Sequence, residues 1–116
     1  MRRIQLALTR EGCTVWRNET ATAWVGKVVA QRDGHVVLDA ARRMQTGLCK
    51  GSADLVGFAP DGRFLAVEVK TASGRLSTEQ RAYIDAVARG GGIAYVARSV
   101  DDAIKQLRDY SEHETS

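Results

Sequence analysis

The chain predicts an α/β fold, a mixed β-sheet flanked by helices, and three observations carry that reading. Two short apolar runs, Leu55-Val56 and Leu65-Ala66-Val67, flank Ala59-Pro60-Asp61-Gly62, a tetrapeptide suited to a tight hairpin turn. Ser77-Thr78-Glu79-Gln80 then opens a helix-periodic stretch that Gly90-Gly91-Gly92 closes, and the apolar run Ile93 to Ala97 follows. Strand, helix and strand in that order imply a parallel right-handed crossover beside the antiparallel hairpin. The third observation is composition: 116 residues, 44% hydrophobic with a single Pro. A chain of that size can bury about two-thirds of its unfolded surface in one core.

Each element follows in order. Arg3 to Arg10 carries Ile4, Leu6, Ala7 and Leu8, a short amphipathic helix that stops at Gly12. Cys13-Thr14-Val15-Trp16-Arg17 reads as a strand. Trp24 to Gln31 and His35 to Asp39 read as two more, around a turn at Arg32-Asp33-Gly34. Ala40 to Lys50 is expected to be a basic connection. In the helix after the hairpin, Ala82, Tyr83, Ile84, Ala86 and Val87 form the apolar stripe. Ser99 caps a last helix with Val100, Ala103, Ile104 and Leu107 on one face. Residues 1 to 110 are expected to make one domain, with 111–116 as a frayed tail.

The hairpin turn sets a register. A type I turn with Gly62 in the left-handed region makes a three-residue loop, so Ala59 pairs with Arg63. Carried down the ladder, this places Asp54 opposite Glu68 and Ser52 opposite Lys70. Directly opposed residues share a sheet face, as do residues two apart on one strand. Asp54, Glu68, Lys70 and Ser52 therefore converge, and Ala53, Leu55, Val67 and Val69 take the other face. A two-residue turn would send Asp54 and Glu68 to opposite faces. Two carboxylates and an amine on one face suit phosphodiester hydrolysis, where acids hold a divalent cation. The alternative is a salt-bridge ladder on a solvated face. The apolar neighbours argue against it, because charge on a central strand is costly without a task.

The flanking motifs add an independent signal. Val15-Trp16-Arg17-Asn18, Lys50-Gly51-Ser52-Ala53-Asp54, Glu68-Val69-Lys70-Thr71, Leu76-Ser77-Thr78-Glu79-Gln80 and Gly91-Gly92-Ile93-Ala94 follow in order. Together they resemble the VRR-NUC family of the PD-(D/E)XK nuclease superfamily, in its small stand-alone phage and bacterial form. The resemblance implies a restriction-endonuclease-like core and a Mg²⁺- or Mn²⁺-dependent DNA endonuclease. Asp54, Glu68 and the carbonyl of Val69 would hold metal, and Lys70 would orient the water. Gln80 matches the family's glutamine and is thereby a candidate to contact nucleic acid, and its capping-box position gives it a structural task as well. Such members resemble Holliday junction resolvases, which implies a homodimer acting on branched DNA. The first helix departs from the superfamily pattern. It begins Arg2-Arg3 and carries no acid, the nearest being Glu11 and Glu19, which leaves one or two metal ions open.

Lys50, Gly51, Ser52 and Thr71 flank the catalytic positions and are candidates to contact the DNA backbone, with Gly51 permitting close approach. Arg17, Arg42 and Arg43 could neutralise phosphates or simply solvate the surface. The net charge of +3 permits a polyanionic partner without demonstrating one. Cys13 and Cys49 have no metal-ligand spacing, and His35 and His113 lack partners at useful spacing, so zinc is not expected. Reduced thiols and the absence of a long apolar run suggest a cytoplasmic protein with no membrane span. Two rival functions remain. One is a nuclease-like fold that only binds DNA or protein. The other is a sequence-specific restriction-type enzyme, which would usually carry a larger recognition segment.

Overall fold

The computed structural model describes residues 1–19, 22–45 and 50–114. Its elements are α1 (Arg2–Arg10), β1 (Thr14–Arg17), β2 (Thr22–Arg32), β3 (His35–Gln45), β4 (Leu55–Phe58), β5 (Phe64–Val69), α2 (Thr78–Arg89), β6 (Ile93–Ala97) and α3 (Val100–Glu114). They form two compact units, one of residues 1–18 and 50–116, the other of residues 19–49. Among the described residues no helix is long and apolar enough to cross a membrane.

The larger unit holds a four-stranded sheet in the order β1-β4-β5-β6. β1, β4 and β5 are antiparallel in sequence of pairing, and β6 joins β5 in parallel through the α2 crossover. The sheet is mixed, as the element order predicts. The turn chemistry sets its register: the Gly62 N–H donates to the Ala59 carbonyl at 2.9 Å, and the Ala59 N–H to the Arg63 carbonyl at 2.9 Å. Gly62 has φ +90°. Leu55 consequently faces Val67 and Phe58 faces Phe64, the three-residue-loop register.

That register sorts the two faces. Leu55, Leu65, Val67, Ile93, Tyr95 and Ala97 pack with Ile4 and Leu8 of α1 and with Ala103 and Leu107 of α3. Val56, Ala66 and Ala94 face Tyr83, Ile84 and Val87 of α2. Ala53 joins this second cluster rather than the Leu55 side. The ladder ends at Leu55, so strict alternation no longer governs the residues before it. Tyr95 and Tyr110 stack, and their hydroxyls donate to the Ala103 and Ala94 carbonyls, which leaves neither polar tip unsatisfied in the core.

Helix ends follow the expected chemistry. The Ser77 hydroxyl accepts from the Gln80 N–H, and the Gln80 side-chain carbonyl accepts from the Ser77 N–H, a complete capping box. Ser99 accepts from the Asp102 N–H. α3 continues to Glu114, so the tail expected to fray from residue 111 is helical to that point. Residues 115–116 lie outside the described residues.

The smaller unit is a two-stranded antiparallel sheet of β2 and β3. Its turn is a two-residue loop between Arg32 and His35, with Asp33 at φ 52° and Gly34 at φ 78°, the positive-φ pair that a tight hairpin turn favours. β3 reaches Gln45, so residues 40–45 of the expected basic connection are strand. The shift of register around Ala40 (φ 54°) breaks the alternation there, which hides the strand from a period-of-two reading. Residues 46–49 of that connection lie outside the described residues.

Gly57 shows how closely β1 and β4 approach. A Cβ on Gly57 would fall 1.8 Å from the Thr14 carbonyl oxygen and 2.9 Å from the Val15 Cα, both backbone atoms. Only glycine fits. Gly57→Ala should lower stability by about 3 kcal/mol, the upper end of overpacking costs, because no side-chain rotation relieves a backbone clash. Urea unfolding measures it, and a loss under about 1 kcal/mol would show that β1 yields freely.

Candidate active site

The site forms where β4 begins and β5 ends. Asp54 lies one residue before β4, and its Oδ2 accepts from the Val69 N–H at 2.9 Å. The carboxylate thus takes the place of a ladder carbonyl at the end of the strand pair. Glu68 belongs to β5 and is only 3% exposed, on the face that α2 covers. The Lys70 Nζ is 3.9 Å from the Glu68 Oε1, and the Gln80 Nε2 donates to the same oxygen at 3.4 Å. Gln80 therefore completes the capping box with its amide oxygen and reaches Glu68 with its amide nitrogen.

Burial is the first cause of the electrostatics here. It is the largest of the effects that together push the Glu68 carboxyl up from 4.5 to about 8. A hydrogen bond with the Asp54 carboxyl and repulsion by its charge add to the rise, and Lys70 only partly opposes it. Ionised Glu68 is therefore disfavoured in this corner, and a cation beside it would offset that cost.

A VRR-NUC domain model matches residues 4–101, most of the chain and all of the site. The chain belongs to the VRR-NUC family. It is thus a nuclease-type DNA-processing module of the PD-(D/E)XK superfamily, and DNA is the substrate that this family membership implies. No curated protein matches the chain.

The remaining VRR-NUC positions divide into those near the acids and those elsewhere. Gly51 has φ +83°, and a Cβ there would fall 2.6 Å from the Glu79 backbone, so glycine lets the chain press against the first turn of α2. Lys50 is exposed and lies 3.6 Å from the Glu79 carboxylate. Ser52 is buried, and its hydroxyl accepts from the Asn18 Nδ2 at 2.7 Å instead of facing open solvent beside Lys70. Thr71 is exposed just past Lys70, and its carbonyl accepts from Arg98 at 2.6 Å. Arg17 pairs with Leu55, on the sheet face opposite Glu68, and the structure does not bring it to the acids. Arg42 and Arg43 lie on β3 in the smaller unit.

Sequence reasoning gave Asn18 no task. Its side chain bonds Ser52 and the Ala53 carbonyl, and its N–H bonds the Asp54 carbonyl. Its place in a motif was visible, but partners about 35 positions away were not.

Among the described residues no three acids, histidines or cysteines gather in one place. Glu11, the nearest acid to α1, pairs with Arg108 at 2.8 Å. Two carboxylates still fit Mg²⁺, which usually keeps several waters and binds one or two acids.

The raised proton affinity of Glu68 makes the metal-free stability depend on pH. Between about 4.5 and about 8 the folded state holds a proton that the unfolded state releases. Stability from this group is therefore present at low pH and lost as pH rises through that window, by at most about 1.4 kcal/mol per pH unit. Glu68→Gln should remove the slope. Chelator-treated protein unfolded by urea from pH 5 to 8 measures it, and identical pH profiles for wild type and Glu68→Gln would contradict the assignment.

Proposed function

We propose that this protein is a Mg²⁺- or Mn²⁺-dependent DNA endonuclease that acts on branched replication or repair intermediates as a cytoplasmic homodimer. The observation that carries the metal reading is the buried Glu68 carboxyl, with its raised proton affinity, beside the partly buried Asp54 and the Lys70 amine. All-oxygen donors favour Mg²⁺ or Mn²⁺ over zinc. Asp54 and Glu68 would hold the ion together with the Val69 carbonyl. An extended residue presents its N–H and C=O to the same edge, and the Val69 N–H already points at Asp54.

When bound, the ion polarises the phosphate and lowers the pKa of water. The chain supplies the rest. Glu68 must give up its proton to become a ligand, and Gln80 orients its carboxylate through the 3.4 Å bond. Lys70, anchored by its N–H to the Ala97 carbonyl at 3.1 Å, holds its ammonium beside the acids. There it orients the attacking water and stabilises negative charge that develops on the phosphate. Lys50, Gly51 and Thr71 line the approach to the acids and contact the DNA backbone. Arg17, exposed on the other sheet face, would meet phosphates away from the acids, whereas Ser52 is buried against Asn18.

The dimer is motivated by the smaller unit. A lone two-stranded sheet is marginally stable in water. Val28, Val29, Val36 and Val37 are each more than half exposed, and Trp24 is 62% exposed. A second copy would cover such a surface and set two sites at a fixed spacing, as a four-way junction requires.

Incubation with four-way, flapped, single-stranded and linear DNA tests the activity. Cleavage of branched DNA should require Mg²⁺ or Mn²⁺. Lys70→Ala should cut at least about 100-fold more slowly while binding DNA within a few-fold of wild type, because affinity comes from many phosphate contacts. A mutant that cleaves at near wild-type rate would sink the Lys70 role. Light scattering should give twice the chain mass at micromolar concentration. A monomer with and without DNA would remove the dimer from the account.

A further inference from the structure

The strand pair that presents Asp54 runs out one residue too early to hold it. β1 and β4 end at the pair Arg17 and Leu55, and Asp54 lies just beyond. Asn18 takes over there. Its N–H donates to the Asp54 carbonyl at 2.8 Å, and its Nδ2 donates to the Ser52 Oγ at 2.7 Å and the Ala53 carbonyl at 3.0 Å. A primary amide has two N–H donors, and both have a partner on this segment. Three consecutive residues are thus tied to one side chain and its own amide. Gly51, immediately before them, is pressed against the Glu79 backbone. The segment from Gly51 to Asp54 is fixed from both sides, and the Asp54 carboxylate arrives at the Val69 N–H.

We propose that Asn18 is the positioning residue for Asp54: its carboxamide sets where that carboxylate sits, and with it the geometry of the cation site. This inference rests on the metal reading above. Backbone bonding alone would leave Ser52 and Ala53 free to rotate, and the Asp54 side chain would follow them. Outer partners that orient a ligand typically change metal affinity by about 10-fold to 100-fold when removed.

Two measurements on the folded protein test it. In the first, Mn²⁺ is titrated by calorimetry into wild type, Asn18→Ala, Ser52→Ala and Asp54→Asn. Wild type should bind, Asp54→Asn should not, and Asn18→Ala should bind about 10-fold or more weakly. Ser52→Ala keeps the bond to Ala53 and should lose less. In the second, amide hydrogen exchange is followed without metal. Val69 should lose protection in Asn18→Ala, because its acceptor carboxylate has loosened, and Val67 should not. If Asn18→Ala does not fold, Asn18→Asp keeps the shape, removes both donors and should behave in the same way. Wild-type Mn²⁺ affinity together with wild-type Val69 protection in the Asn18 variant would overturn the inference and leave the metal reading intact. Failure of the wild type to bind Mn²⁺ would overturn both.

Discussion

Two acids in one desolvated corner are the constraint around which the larger unit is organised. Glu68 cannot ionise there cheaply, since burial and repulsion by Asp54 act in the same direction on its proton. The fold keeps them together through several separate devices. The hairpin turn sets the register, the Val69 N–H holds Asp54, α2 covers Glu68 and supplies Gln80, and Asn18 fixes the segment that carries Asp54. Such a site is costly to the metal-free protein.

The apolar framework explains why the corner holds its shape. One sheet face is sealed by α1 and α3, and the other by α2. The α2 side is the thinner layer, made of alanines and one valine on the sheet against Tyr83, Ile84 and Val87. Small residues let the N-terminus of α2 come close enough for Gln80 to reach a buried strand residue. The capping box fixes that N-terminus, so a local helix signal also aims a functional amide.

Much of this was legible in the chain because it rests on local chemistry. Pro60-Asp61-Gly62 fixes a turn type, the turn fixes the pairing of Ala59 with Arg63, and that pairing puts Asp54 and Glu68 on one side. Ser77 and Gln80, three residues apart, announce a helix start. Features that depend on distant partners were not legible. Ser52 and Lys70 are opposed in the extended register, yet Ser52 turns to Asn18, because β4 has already ended. Ala53 changes sides for the same reason. β3 runs past Ala40 through a bulge that erases alternation, and the separation of residues 19–49 into their own unit has no local marker at all.

The proposed cation site on Asp54 and Glu68 predicts that a bound divalent ion lowers the raised proton affinity of Glu68. Carbon-13 NMR of the glutamate side-chain carboxyls, titrated with and without Mg²⁺, measures it directly. Without the ion, Glu68 should titrate near pH 8. Saturating Mg²⁺ should lower that midpoint by more than about one pH unit, because a cation favours the ionised carboxylate. A midpoint that does not move on adding Mg²⁺ would contradict the account.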